Sequence, residues 1–309
     1  MIPEKTVLIL GAGASMDFGF PSGGDLKDEI VKFNGYDQPY LPTLISAGFN
    51  PEAINKFSRA LAYSLAPSVD RHLEFSVNQN PHDREIGCAI IAASLLWREE
   101  KPNNVKDHKW LETLFHALYP GFEEGLENDK LTIITYNYDC SIEYFLYNGL
   151  NSTLGQPRAD ETMRKIKIIH LHGRLAPSQK ATEAHTLSVQ SIKDSIVPEK
   201  GIRIIHEQQP EMNQFVKARL ALRDAKRICF LGFGYDEVNL ERLFLPKGNI
   251  GALASKEIFG SAFKRTHAEN KNINNRFFDG RCHFGRTDWT IERFLRESGI
   301  LFEYTETNL

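Results

Sequence analysis

Two pairs of polar residues, each spaced two apart, carry the clearest chemistry in this sequence: Asn137 with Asp139, and His170 with His172. In an extended strand residues i and i+2 project to the same side, so Asn137 and Asp139 can face one site. A carboxamide offers two donors and an acceptor, which suits sugar hydroxyls or a water molecule. A carboxylate can fix a neighbouring group or accept a charge-assisted hydrogen bond. The same two residues could equally close an Asx turn that ends a strand. His172, followed by Gly173, reads as a general base on a tight loop, because an imidazole titrates near neutrality. A merely hydrogen-bonded histidine is the competing reading. His170 is expected to face the interior or to support its neighbour. As metal ligands the two histidines would need a third and a fourth partner. No other Cys, His or Asp pair has matching spacing, so no metal is expected.

Two glycine turns accompany these pairs. Gly11-Ala12-Gly13-Ala14-Ser15 gives a sharp turn whose backbone N–H groups can approach a phosphate, and Ser15 could donate to that phosphate or cap the next helix. The dinucleotide fingerprint wants a third glycine where Met16 stands, and an acidic strand end about 20 residues on, which this chain lacks. No Gly-Lys-Ser/Thr follows. An ordinary dehydrogenase and a triphosphatase loop are both disfavoured. Gly232-Phe233-Gly234 forms a second turn able to approach a sugar or phosphate, with Asp236 and Asn239 at the start of the following helix. Asp236 is also a candidate N-cap. Gly19, Pro21, Ser22, Gly23 and Gly24 read as a flexible loop.

These motifs need strands to present them. Four apolar runs, Val7–Leu10, Leu131–Ile134, Ile166–Ile169 and Ile228–Leu231, suit strands buried on both faces of a parallel sheet, with Cys282–Phe284 as a weaker fifth. Each strong run ends in one of the polar or glycine-rich motifs. Helical patterns are expected at Pro51–Leu65 behind an Asn50 cap, at Asp83–Glu99 and at Lys106–Leu118. Later ones are expected at Glu211–Ala225, from Asp236 through Phe244, and at Asp288–Glu297. The resulting expectation is an α/β fold: a Rossmann-like parallel sheet with helices on both faces, and a helical insertion of about 31–130 after the first strand, all in one domain spanning 1–309. The apolar stripes of the helices between 50 and 120 suit either core or an interaction surface. Ala176–Gln209 has weak periodicity and is expected to be a loop-rich lid. The mildly basic stretch from Lys264 to Arg276 is expected to be a solvated loop.

Composition narrows the function classes. The 309 residues are 41% hydrophobic and 25% charged, as in an ordinary globular protein. With 37 Lys plus Arg against 40 Asp plus Glu, the net charge of −3 offers no global field for nucleic acid, and direct nucleic-acid binding is not expected. Cys88, Cys140, Cys229 and Cys282 form no C-x-x-C pair, so neither a zinc ribbon nor a disulfide scaffold is expected. The N-terminal apolar run stops at Gly11, unlike a signal peptide. The longest apolar stretch, Cys88–Trp97, is half the ~20 residues a membrane helix needs. A cytoplasmic protein without membrane contact is expected.

Taken together and in order, Gly11 through Ser15, Asn137-Tyr138-Asp139, His172-Gly173 and Gly232 through Asp236 resemble the sirtuin superfamily, and specifically the sirtuin-like NAD-cleaving domains of bacterial antiphage defence. The resemblance runs from about residue 5 to residue 245. It implies a Rossmann-like sheet binding NAD+ as substrate, with Asn137 and His172 as the catalytic pair. Asn137 would hold the nicotinamide ribose and position water, and His172 would act as general base. Gly13, Ala14 and Ser15 would line the pyrophosphate and nicotinamide region, and Asp139 would help hold the ribose. Gly11, Ala12, Gly232, Phe233, Gly234, Asp236 and Asn239 complete the candidate cofactor-binding set.

Departures from the family matter too. Deacylating sirtuins carry a zinc module with two C-x-x-C pairs, a Pro-Asp-Phe-Arg after the first glycine loop, and a Gln before the catalytic Asn. Here the first is missing, the second reads Pro21-Ser22-Gly23-Gly24, and the third is Tyr136. The implied activity is therefore hydrolysis of NAD+ to nicotinamide and ADP-ribose, without zinc, in an abortive-infection role. The resemblance further implies control by homo-oligomerisation or by a partner such as a HerA-like ATPase or an Argonaute-type sensor. A non-catalytic NAD or ADP-ribose-binding regulator and an NAD-dependent deacylase are the alternatives.

Overall fold

The computed structural model describes residues 2, 4–32, 38–76, 80–100, 109–123, 130–197, 200–204, 213–244, 253 and 255–302. Six strands form the sheet: β1 (Thr6–Leu10), β2 (Leu131–Thr135), β3 (Lys167–His170), β4 (Arg227–Leu231), β5 (Glu257–Gly260) and β6 (Cys282–Phe284). Their spatial order is β3-β2-β1-β4-β5-β6, and every neighbouring pair is parallel. That is the doubly wound Rossmann order, with the chain reversing its direction of travel across the sheet at β1.

Among the described residues, six α-helices lie between β1 and β2: α1 (Gly23–Val31), α2 (Leu41–Ser46), α3 (Pro51–Tyr63), α4 (Val69–Ser76), α5 (Pro81–Glu99) and α6 (Lys109–Glu123). Then follow α7 (Ser141–Leu154) and α8 (Gln156–Lys165) before β3, and α9 (Val189–Ser195) and α10 (Asn213–Asp224) before β4. The chain continues through α11 (Glu237–Phe244), α12 (His267–Phe277) and α13 (Ile291–Ser298). Among the described residues no helix is long and apolar enough to cross a membrane.

The apolar runs are explained by two separate cores. Leu8, Leu10, Ile133, Cys229 and Leu231 point to one face of the sheet, against a core that includes Ile30, Phe57, Leu96, Trp110 and Leu146. Val7, Ile9, Ile134, Ile228 and Phe230 point to the other, against Phe215 and Leu222 of α10, Leu240 and Leu243 of α11, and Phe278. With both faces covered, no alternation with polar residues survives in β1 or β4.

Several expectations are corrected. The expected loop from Gly19 to Gly24 ends at Ser22, where Ser22 and Asp25 form a capping box that starts α1, so Gly23 and Gly24 are helical. The segment from Lys264 to Arg276 is likewise mostly helix, because Thr266 and Glu269 form a second capping box at the head of α12. The proposed lid contains α9, and Ala176 and His185 in it are fully buried, Ala176 N–H donating to Ser195 Oγ at 2.8 Å. Residues 198–199 and 205–209 of that segment, 106–108 of the expected third helix and 211–212 of the fourth lie outside the described residues. The last expected helix begins at Ile291 rather than Asp288, since Thr290 caps it by accepting from Arg293 N–H. Asn50 caps α3 as expected. β5, α7 and α8 had no expectation.

Register gathers the motifs. Leu10 lies level with Thr135 on one side and Leu231 on the other, and Thr135 with His170. Four loops therefore leave the same sheet edge at the same height. The turns after β1 and β4 touch through backbone, Gly13 N–H donating to Gly232 C=O at 2.9 Å. Gly232 has φ of 56°, and a Cβ there would sit 2.1 Å from the Ala14 nitrogen. Gly232→Ala should therefore cost the ~1–2 kcal/mol of a left-handed residue plus the displaced backbone contact. Gly280→Ala, with φ of 75° and open space around its Cβ, should cost the conformational part alone. Chemical denaturation of both variants checks this, and equal losses would remove the contact from the account.

Candidate active site

A cleft of about 270 Å³ opens where these loops meet. Gly11, Ala12, Ser15, Asn137, Asp139, His172, Phe233, Gly234, Asp236 and Asn239 all line it. Gly13, Ala14 and Gly232 do not: they form the backbone contact behind it. The amides of Gly11, Gly13, Ala14 and Ser15 donate to Leu231, Gly232, Gly11 and Ala12 carbonyls, which leaves Ala12 N–H as the turn's donor toward the cleft. A phosphate cradle of several amides is therefore narrower than the glycine pattern suggests.

Asn137 is held by a chain of hydrogen bonds with one consistent direction. Its Nδ2 donates to Gly11 C=O and to Ser15 Oγ, each at 2.9 Å. A carbonyl only accepts, so the amide cannot be turned the other way. Ser15 Oγ in turn donates to Asp139, 2.9 Å from Oδ2. Both amide hydrogens of Asn137 are thus committed, and Oδ1 remains as an acceptor for a hydroxyl or a water. Asp139 also accepts from Ser141 Oγ and from Ser141 N–H, the first amide of α7. Burial raises its pKa to about 6, against the lowering effect of Ser141 and Ser15. Asp139 therefore anchors Ser15 and the start of α7, and its two oxygens are occupied by the protein itself.

His172 is neutral. Burial pushes its pKa down to about 4, with Arg242 and Arg203 nearby adding to the effect. Tyr136 lies over its ring with centroids 5.3 Å apart, and Tyr138 and Phe215 meet it edge-on. Nδ1 donates to Arg203 C=O at 3.3 Å, which fixes the tautomer and leaves Nε2 unprotonated. Asn239 is hydrogen bonded to the same imidazole, and its Oδ1 has no partner among the described residues, so its amide nitrogen makes that bond. Asp236 caps α11 by accepting from Asn239 N–H at 3.1 Å, and so positions Asn239.

His170 supports the site from behind. Its Nδ1 donates to Asn137 C=O at 3.1 Å, and its Nε2 lies 2.7 Å from Glu143 Oε1. Against the lowering effect of burial, Glu143 raises the His170 pKa, and the ring is held between carboxylate and carbonyl. The sequence carried no signal for Glu143, one turn into α7. Nor did it signal the opposite wall of the cleft, where Ser68, Asp70 and Arg71 stand at the head of α4. Tyr138 O–H donates to Asp70 Oδ1 at 2.6 Å, joining that wall to the Asn137 loop. Among the described residues two sets of ligating atoms each lie within 4.8 Å of one another: Glu99, Cys140 and His185, and Cys140, Glu143 and His170. The second is closed by the His170 bonds just described.

No curated protein matches the chain. Residues 131–247 match the family described as a SIR2-like domain. The matched stretch begins at β2 and runs past α11, so it contains the asparagine, the histidine and the second glycine turn, while the turn after β1 precedes it. Residues 131–247 are thus similar to a SIR2-like domain, and the cleft's Asn137, His172 and Asn239 all lie within the matched stretch.

Proposed function

We propose that the cleft binds NAD+ and hydrolyses its nicotinamide–ribose bond. SIR2-like enzymes are in general NAD-dependent, and the supporting observation is the pairing of a carboxamide and a neutral imidazole on one cleft. Departure of neutral nicotinamide leaves positive charge on the ribose, as in glycoside cleavage generally. Asn137 Oδ1, its amide hydrogens committed elsewhere, accepts from the attacking water or a ribose hydroxyl and holds it still. His172 Nε2 accepts a proton from that hydroxyl or water, after Asn239 yields the position. Water adds to the ribose, and nicotinamide, ADP-ribose and one proton leave. A residue that must take a proton at neutral pH has to be unprotonated beforehand, and burial secures that for His172. In this reading Asp139 and His170 position Ser15 and the Asn137 backbone without touching substrate. The proposal extends to an abortive-infection role under control of oligomerisation or a partner, because an unregulated NAD+ hydrolase would harm its own cell.

His172→Ala and Asn137→Ala should each lower nicotinamide release by ~10²–10⁴-fold, the usual range for losing an acid–base group, with the fold intact by circular dichroism. Full activity in both variants would remove these residues from the mechanism.

A second expectation follows from the pKa of His172. The unfolded imidazole takes a proton near pH 6.5, whereas the folded one resists until about 4. Between these values the unfolded chain binds the extra proton, so the stability contributed above pH 6.5 is lost as pH falls toward 4. The urea midpoint of the wild type should fall more steeply over that window than that of His172→Gln, which has no proton to bind. Parallel pH profiles would contradict the buried neutral imidazole.

A further inference from the structure

Below the cleft, on the side of the helical insertion, three segments far apart in sequence meet. Glu99 ends α5, Cys140 immediately precedes α7, and His185 lies in the irregular stretch before α9. His185 is completely buried, Glu99 and Cys140 nearly so, and their ligating atoms all lie within 4.8 Å of one another. We propose that Glu99, Cys140 and His185 form a binding site for one divalent transition-metal ion, of which zinc fits the donors best.

The His185 ring carries the first argument. Its Nε2 donates to Lys180 C=O at 3.1 Å, which sets the tautomer and leaves the Nδ1 lone pair directed at the cluster. Nδ1 lies 2.8 Å from Glu99 Oε2, an ion-pair distance, and a metal ion would take the place of the proton between them. A buried imidazole nitrogen and a carboxylate oxygen this close can share a cation. An N–H held by a backbone carbonyl is also how metal-bound histidines are oriented.

The other two donors are oriented in the same manner. Glu99 Oε1 accepts from Cys140 N–H at 2.9 Å, which turns Oε2 toward the cluster. Arg174 Nη1 approaches Cys140 Sγ at 3.8 Å, where it can stabilise a thiolate. One thiolate, one carboxylate and one neutral imidazole balance a +2 ion, so the loaded site is electrically neutral apart from Arg174. Sulfur, nitrogen and oxygen donors together suit a borderline ion rather than calcium or magnesium. The balance is simple: the metal bonds to sulfur, nitrogen and oxygen, and the thiol proton and any proton on the imidazole pass to solvent. Three protein ligands leave a fourth position for water.

The neighbouring set built on Glu143 and His170 shares Cys140, but its histidine holds the Asn137 carbonyl behind the cleft, and Glu143→Gln separates the two sets in the test. A metal at Glu99, Cys140 and His185 would fasten α5 and the His185 segment to the residue next to Asp139. Its function would be structural, and the inference does not depend on NAD+ chemistry.

The test is metal analysis of the full-length chain, purified without chelator and with any affinity tag removed. About one zinc per chain is expected, lost in Cys140→Ser and in His185→Gln but retained in Glu143→Gln. Because a variant could lose metal by misfolding, the wild type should also be stripped and titrated with Co²⁺. A thiolate-to-cobalt charge-transfer band saturating at one equivalent supports the site. Background metal in the wild type together with no such band, or retention of metal by Cys140→Ser, would overturn it.

Discussion

The cleft depends on how closely the turns after β1 and β4 approach each other. Backbone meets backbone there, Gly13 against Gly232, and any Cβ at Gly232 would enter the Ala14 amide. That contact fixes the height and direction of the first turn, and the turn carries Ser15 to the one place where its hydroxyl can link Asn137 and Asp139. Trp110, buried in the insertion, holds the same turn from the other side by donating from Nε1 to Ala14 C=O at 3.1 Å. Glycines that resemble a phosphate loop thus also serve packing. A side chain on Gly13 or Gly232 would harm the site by moving Ser15 before it touched any ligand.

The polar residues of the site lie in an apolar frame, and their charge states follow from that. Burial without an ionic partner pushes the His172 pKa down, while Glu143 beside His170 pushes that pKa up. Two histidines two residues apart are therefore shifted in opposite directions by their surroundings, one suited to taking a proton and the other to holding a backbone carbonyl. A buried polar network is stabilising only when its members are satisfied, and from Gly11 C=O through Asn137 and Ser15 to Asp139 each donor hydrogen named has an acceptor. Of the atoms left over, Asn137 Oδ1 belongs to the cleft lining, where a ligand can meet it, while Asn239 Oδ1 is buried without a partner among the described residues.

Much of this was legible in the sequence, for a physical reason. Strands buried on both faces read as unbroken apolar runs, so β1 to β4 and their polar ends stood out. β5 did not, because Glu257-Ile258-Phe259-Gly260 is short and begins with a charge. The helices α1 and α12 were hidden by glycine and asparagine content, although Ser22 with Asp25 and Thr266 with Glu269 were capping signals open to reading. Asp70, Arg71, Glu143, Glu99 and His185 could not have been found, because their relation to the site exists only in three dimensions. Tyr138 meets Asp70 across 68 residues of chain, and no spacing rule connects them. The scatter of the cysteines argues against a ribbon of C-x-x-C pairs, but it says nothing about a mixed set assembled from three distant segments.

The insertion between β1 and β2 helps to build the cleft. Its helices share a core with Leu8, Leu10, Ile133 and Leu231, the inward residues of three strands, and cover that face of the sheet together with α7 and α13. Arg98 at the end of α5 pairs with Glu29 of α1 at 2.6 Å, and Tyr40 and Ser94 donate to the same carboxylate. α1 and α5 are thereby locked together beneath the loop that supplies Ser22 and Gly23 to the cleft. α4 then adds Asp70 to the wall and reaches the Asn137 loop through Tyr138. Displacing any of these helices would move a wall of the cleft and strip the sheet face at once. Stability and site geometry are in this way set by the same contacts: the pocket keeps its shape for as long as the insertion stays packed.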